Sequence, residues 1–395
     1  MSRLLVLGAG PAQLGLLETA QRLGVWTAVV DRDPAAPGFL FADRRCILST
    51  EDEPAIERLI GALGIEGIIS PGTDWPVGVA ARIAERTGLP HPISPTTAVL
   101  ATNKLRQRER LAEAGVPQPR SWVVGGEDDA PEVEGPVVVK APDRQGQKGL
   151  TLVTDPAELP YAIEVARGAA RNGLALVEEL VDGPEVTAVG FSVDGDYECL
   201  VVTDRLTADP PAFGVALAHV WPSEVPGTAV PGTVEAALTA LGIENGPSYV
   251  QLRIGPDGPK VIEVAARLGG GHDAELVQAV TGVDLNALAI DAALGRELVS
   301  TQHKVLAGGA ATRFLVAPPG VLEHVQIPDG LEGIERVRIY REPGYVFAPL
   351  RRGADRAGAV LATGATREQA VARADAAADR IRFVTADAGR LSEAI

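Results

Sequence analysis

Val137-Val138-Val139-Lys140-Ala141-Pro142-Asp143-Arg144-Gln145-Gly146-Gln147-Lys148-Gly149 is the stretch on which the fold turns. A β-branched apolar run ends in a lysine, and a second apolar run, Gly149 to Val153, follows a glycine-bearing loop with another lysine. Runs of this kind bounded by Gly and Asp read as strands. Two glycines let the backbone bend closely around phosphate oxygens, with exposed N–H groups to bind them. The spacing is not that of a P-loop, because no Gly-Lys-Ser/Thr follows and no helix begins there. Taken alone, the loop reads more readily as an ordinary hairpin turn.

The lysines add weight. Lys104, Lys140 and Lys148 are three of the five lysines, with Lys260 and Lys304 the others, while 31 of the 36 basic residues are arginine. A lysine kept against that bias presents a compact point charge on a thin stem, suited to one phosphate oxygen in a narrow pocket. Lys104 opens a helical pattern, expected over about 102–114. Chance clustering of surface lysines is the plain alternative.

Composition bounds the rest. At 395 residues, two or three domains are expected, and 46% hydrophobic with 22% charged residues suits a globular enzyme. A net charge of -16 argues against duplex nucleic acid or an anionic membrane as partner, so a site for an anionic ligand must be locally positive. Cys46 and Cys199 form no motif, and no zinc site or disulfide framework is implied. Leu4 to Leu7 is too short for a signal peptide and no apolar run reaches membrane length, so a cytoplasmic location is expected.

The first hundred residues read as βαβ: strands at Leu4–Leu7, Trp26–Val30 and Gly67–Ser70, a helix over Pro11–Leu23, and hence a doubly wound open sheet. Gly8-Ala9-Gly10-Pro11-Ala12-Gln13 followed by Asp31 nearly makes a dinucleotide fingerprint. Gln13 stands at the third glycine position and Pro11 removes a backbone donor, which weighs against NAD and for a tight strand-to-helix turn or an anion held at the helix N-terminus. Gly125 to Gly135 reads as an acidic loop, Leu174–Val181, Thr187–Val193 and Tyr197–Thr203 as strands, and 207–231 as a Pro-rich, irregular, mobile segment. The last hundred residues read as a smaller α+β unit ending in a helix over about 367–383.

Three further motifs carry chemistry. Val177-Glu178-Glu179-Leu180-Val181-Asp182-Gly183-Pro184-Glu185 delivers two carboxylates and then extended backbone, able to serve adenine, with Glu185 for ribose hydroxyls. A solvated acidic strand end is the alternative. Ser248 to Ile254 and Lys260 to Ala265 flank Gly255-Pro256-Asp257-Gly258-Pro259, a hairpin signal. If Gly255 faces Pro259, Gln251 faces Glu263, and the two oxygens lie on one side at a spacing suited to Mg²⁺. An edge glutamate paired with Arg253 or Arg267 is the alternative. Arg267-Leu268-Gly269-Gly270-Gly271-His272 joins a guanidinium to backbone donors that suit a phosphate or an oxyanion. Arg205, His219, His272 and Arg313 are candidate substrate contacts, each with a plain structural alternative.

In this order the motifs resemble the ATP-grasp superfamily over nearly the whole chain, most closely the branch of carbamoyl-phosphate-synthase-like proteins and L-amino-acid ligases. Gly8 to Gly15, Gly242-Ile243-Glu244-Asn245-Gly246-Pro247 up to Glu263, and Arg267-Leu268-Gly269-Gly270 carry the likeness, which disposes of NAD. The resemblance implies α/β and α+β architecture: a Rossmann-like pre-ATP-grasp domain (1–100), an ATP-grasp domain (101–300, with a flexible lid at about 120–185) and a small C-terminal α+β domain (301–395). It implies ATP-driven activation of a carboxylate as an acyl phosphate, then amide formation with an amine. Lys104, Lys140 and the loop Gln145, Gly146, Lys148, Gly149 would hold phosphates. Glu178, Glu179, Leu180 and Val181 would hold adenine, Glu185 ribose, and Gln251 and Glu263 Mg²⁺. Arg267, Gly270 and Gly271 would stabilise the transferred phosphoryl group and the tetrahedral intermediate. Small-molecule carboxylate and amine substrates and a homodimer are implied. The family's usual Asn two residues after the metal Glu is Ala265 here, and Gln251 stands where Glu is common. A bicarbonate-activating enzyme and a non-catalytic nucleotide-binding protein remain alternatives.

Overall fold

A computed structural model describes residues 1–126, 130–225, 229–298 and 304–386. The chain opens with β1 (Arg3–Leu7), α1 (Leu14–Arg22), β2 (Trp26–Asp31), β3 (Arg44–Ile47), α2 (Glu53–Leu63), β4 (Gly67–Ile69) and α3 (Trp75–Thr87). The strands form a parallel sheet in the order β3-β2-β1-β4. Alternation along β1 explains why both faces are covered. Leu5 and Leu7 pack with Ile56, Ile60 and Ile83 of α2 and α3, while Leu4 and Val6 join Leu16 and Leu17 of α1 in the central core.

The helix expected over 102–114 is α5 (Lys104–Glu113), and a separate helix, α4 (Pro95–Thr102), precedes it. Asn103 breaks them: its backbone is extended and its side chain accepts from the amides of Leu105 and Arg106, an N-cap that starts a new helix at Lys104.

Next come β5 (Ser121–Val124), β6 (Val137–Lys140), β7 (Leu150–Val153), α6 (Leu159–Ala169) and β8 (Ala175–Glu179). They make a separate antiparallel sheet, β5-β8-β6-β7. Val137, Val139 and Val177 turn one face onto Ile163 of α6. The other face presents Val138 and Lys140, with Glu178 directly opposite Val138. Part of the expected 125–135 loop, residues 127–129, lies outside the described residues.

The remaining elements are β9 (Glu185–Val193), β10 (Asp196–Thr207), β11 (Ala216–Trp221), α7 (Val230–Leu241), β12 (Gly246–Gly255), β13 (Gly258–Ala265), α8 (Asp273–Thr281), α9 (Leu285–Ala293), β14 (Gly309–Leu315), β15 (Gly320–Gln326), β16 (Ile334–Ile339), β17 (Val346–Phe347), β18 (Gly358–Gly364), α10 (Arg367–Arg380) and β19 (Arg382–Ala386). Eight strands share one sheet, β13-β12-β9-β10-β11-β14-β18-β16, so hydrogen bonding passes from β11 to β14 without a break. β17, β15 and β19 form a small sheet.

Two expectations need correction. The segment 207–231 is not irregular throughout: β11 pairs with β10 and β14 inside the large sheet, its residues Ala216, Ala218 and Val220 buried. Prolines before and after the run masked a strand that is short and alternating. Residues 226–228 of that segment lie outside the described residues. The last helix ends at Arg380, and Phe383 belongs to β19.

Candidate active site

A cleft of about 870 Å³ lies between the parallel sheet, the β5–β8 sheet and the large sheet. The predicted site residues line it, with Gly149, His272 and Arg313 as the exceptions.

The β12–β13 hairpin places Gln251 opposite Glu263, but not by the expected turn. Gly255 faces Gly258, a two-residue turn, and the register slips by one between Gln251 and Leu252. The bulge restores the pairing that the longer turn would have produced. Glu263 lies 2.7 Å from the Lys104 ammonium, which also donates to Arg144 O at 2.8 Å. Burial alone would raise the Glu263 carboxyl; Lys104, then Lys140 and Arg267, bring it down to about 2.

Glu178 is the centre of a buried triad. Its carboxylate meets Lys140 Nζ at 2.5 Å and Arg108 Nε at 2.7 Å, and its side chain is only 3% exposed. Burial opposes its ionisation, but Arg108 and Lys140 hold the carboxyl below its usual range. With both oxygens engaged by cations, the Glu178 carboxylate fixes Lys140. Arg108 also donates to Val261 O (2.9 Å) and Ile262 O (2.6 Å), tying α5 to the strand that carries Glu263. Gln107 does the same with Val264, accepting from its amide and donating to its carbonyl. Glu179 pairs with Arg120 and Lys260. Leu180 N donates to Pro136 O.

The loop between β6 and β7 lies across the cleft. Gln145 Oε1 accepts from Asp74 N at 2.5 Å, reaching the first sheet's α3. Gln147, in the left-handed region at φ 62°, donates to Gly214 O and accepts from Gly353 N, both at 3.2 Å. Gly149, also left-handed, packs on Ala169 and Ala141 instead of lining the cleft. Asp74 receives the Arg267 guanidinium as well, through Nε and Nη2, while Nη1 donates to Leu268 O. The three glycines that follow are close-packed: a β-carbon at Gly269 would lie 2.1 Å from Asp273 Oδ2 and one at Gly271 3.0 Å from His219 Nε2.

His219 is buried, 3.3 Å from Asp273 Oδ1 without hydrogen-bond alignment. Burial first, with Arg205, Arg356 and His272 adding, lowers its pKa to about 4 against the pull of Asp273. Arg205 joins Glu185 at 2.7 Å and donates to Gly214 O. Arg313 is corrected: it lies outside the cleft and pairs with Asp375 of α10. His272 is corrected too, because it points away to Tyr340 and Glu275.

The glycine turn after β1 has its own explanation. Asp31 Oδ2 accepts from Ala9 N at 2.8 Å, and a β-carbon at Gly8 would lie 3.0 Å from Gln13 Cδ. Gln13 folds back over the turn, and its carboxamide reaches Pro71 O and Thr73 Oγ1. Asp31 thus pins the turn itself.

The sequence reading missed Arg108, Gln107, Asp74, Arg356 and Tyr340. Arg108 sits in Lys104-Leu105-Arg106-Gln107-Arg108-Glu109-Arg110, a run that reads as a solvated face. Its burial depends on partners some 70 and 150 residues away, which no local pattern shows.

The family model for the carbamoyl-phosphate synthase L chain, ATP binding domain, matches residues 103–301, half of the chain. That for the L-amino acid ligase C-terminal domain 2 matches residues 313–386. Formate-dependent phosphoribosylglycinamide formyltransferase of Burkholderia lata is 29% identical over 98% of this chain and 96% of its own. Protein y4rH of Sinorhizobium fredii is 29% identical over 90% of this chain and 77% of its own. The L-amino acid ligase of Bacillus licheniformis superposes with a TM-score of 0.84 at 23% identity, over 98% of this chain and 99% of that one. Half the chain under one ATP-binding-domain model, with the ligase C-terminal domain behind it, places this protein among the ATP-grasp ligases, in the branch of carbamoyl-phosphate-synthase-like proteins and L-amino-acid ligases.

Proposed function

We propose that the chain joins a small-molecule carboxylate to an amine through an acyl phosphate, releasing ADP and phosphate. The observation that carries this is the convergence on one cleft of Lys104, Lys140, the Gln251/Glu263 pair and the Arg267–Gly271 segment. The carboxylate oxygen attacks the γ-phosphorus of ATP, and the bond to the ADP oxygen breaks. The amine then attacks the acyl carbon, and phosphate leaves with the electron pair of the C–O bond. Catalysis here is chiefly alignment and neutralisation of charge.

Lys140, held by Glu178, and Lys104, held by Glu263, would face the phosphates, with the loop Gln145–Lys148 above them. Adenine would donate to the Leu180 carbonyl and accept from the Val181 N–H, since Leu180 N–H is already spent. Glu185 would hold ribose. Arg267, fixed by Asp74, and the Gly270 and Gly271 amides would meet the oxyanion.

Gln251 and Glu263 fit Mg²⁺. They present oxygens from facing positions of two strands, and Mg²⁺ is usually held by one or two carboxylates plus substrate phosphates. Among the described residues no group of three or more His, Cys, Asp or Glu side chains gathers to replace them. Held by Gln251 and Glu263, the ion would neutralise phosphate charge. The three-part division at about 100 and 300, a homodimer and a cytoplasmic location belong to the same reading. No single helix among the described residues is long and apolar enough to cross a membrane.

The test is release of ADP and phosphate from Mg-ATP against amino acids, singly and in pairs, and against bicarbonate. Turnover that requires a carboxylate and an amine together is expected. Turnover with bicarbonate alone, or ATP binding without turnover under every substrate set, would overturn the reading.

A further inference from the structure

An amine at neutral pH arrives as an ammonium ion and must lose one proton before its nitrogen can attack. That proton needs an acceptor beside the Arg267–Gly271 segment. Lys104 and Lys140 are committed to carboxylates. His219, its pKa at about 4, is a weak base.

Tyr340 is placed differently. It follows β16, lines the cleft, and packs with Ala216, Phe314 and Ala359. Its hydroxyl lies 2.6 Å from His272 Nε2, and His272 Nδ1 lies 3.3 Å from Glu275 Oε1. A phenol donating to Nε2 requires the tautomer with its hydrogen on Nδ1, facing the Glu275 carboxylate. Burial would raise the Glu275 carboxyl, but His272 and Arg338 hold it at about 2, so it stays charged. Arg338, 7% exposed, donates to Glu275 at 3.0 Å and to Glu18 of α1. His272 adopts φ 62°, a costly conformation for a residue with a β-carbon, directly after the triple glycine. Such strain persists only where surroundings impose it. Burial pushes the Tyr340 phenol up, against Arg356 and Arg338, so it stays neutral between transfers.

Resting on the ligase reading above, we propose that Tyr340 takes the proton of the attacking amine and passes its own to His272, with Glu275 positioning and compensating the imidazole. The ammonium gives one proton to the Tyr340 oxygen while the phenolic proton moves to His272 Nε2, which frees the nitrogen to attack the acyl carbon; the second nitrogen proton leaves with the departing phosphate. The electron pair of the N–H bond stays on nitrogen. Phosphate departs with the pair of the C–O bond as the carbonyl reforms. The imidazolium, facing Glu275, gives its proton to water when the cleft opens. Tyr340 is the catalytic residue; His272 and Glu275 act through it.

The test compares two nucleophiles on one carboxylate: the amine substrate, and hydroxylamine, which is unprotonated at neutral pH and traps the acyl phosphate as a hydroxamate. Tyr340→Phe keeps the ring against Phe314 and loses only the hydroxyl. It should lower amide formation about 100-fold, the lower end for a positioned acid–base group, and keep hydroxamate formation within about threefold. His272→Asn, a residue that tolerates positive φ, should show the same split. An equal fall with both nucleophiles in both variants would mean a packing role, and unchanged amide formation would mean no relay; either overturns the proposal. Absence of hydroxamate in the unmodified protein with every carboxylate would overturn the ligase reading and the relay with it. That outcome is distinct, because it appears before any substitution is made.

Discussion

Glu178→Gln removes the one anion from a buried site that holds two cations. The partners sit at 2.5 and 2.7 Å, and the side chains of Lys140, Arg108 and Glu178 are 7%, 6% and 3% exposed. Breaking a buried ion pair by removing one member costs about 3–5 kcal/mol, because a charge is left uncompensated. An exposed pair costs about 0–1 kcal/mol. The expected loss is therefore about 4 kcal/mol, read by reversible urea unfolding of the β5–β8 sheet, where Trp122 faces Val177 across β5 and β8. The pH dependence has a definite sign. Glu178 is held below its ordinary range, so its stabilisation is complete above the unfolded pKa of about 4.3. It is lost as pH falls through the lower folded value. The gap between the two proteins should thus close on the acid side. Mg-ATP should recover more stability in the variant, since phosphate would supply the missing anion. A loss below about 1 kcal/mol at neutral pH would refute the argument.

Gln147→Asn keeps a residue that tolerates positive φ but cannot reach both Gly214 and Gly353. Losing two hydrogen bonds at about 1 kcal/mol each should raise the KM for ATP about tenfold or more, measured by steady-state ADP release. Gly269→Ala drives a β-carbon onto the Asp273 carboxylate and should destabilise by about 1–3 kcal/mol, seen as a lowered Tm. Arg313→Ala, outside the cleft and paired with half-exposed Asp375, should leave kcat/KM within about twofold and stability within about 1 kcal/mol.

What the sequence displayed and what it hid divide along a physical line. Local patterns were legible: the strand before Lys140, the glycine loop, and the facing of Gln251 and Glu263, where hairpin chemistry fixes neighbours. The route to that facing was wrong by one residue, because a two-residue turn and a bulge give the same pairing as a longer turn. Long-range electrostatics were not legible. Nothing near Glu178 in the chain shows that Arg108 and Lys140 engage its two oxygens. Asp74 has no motif around it, yet it receives Arg267 from 193 residues away and Gln145 from 71. β11 was hidden by flanking prolines, and only its pairing with β10 and β14 makes it a strand.

The central claim is that a carboxylate is activated by phosphoryl transfer within this cleft. It is tested most directly with the accepted carboxylate labelled with ¹⁸O in both oxygens and turned over with Mg-ATP and the amine. An acyl phosphate passes one labelled oxygen to each phosphate released, and the account predicts that transfer for every amide formed. Phosphate free of label, with amide still produced, would contradict it.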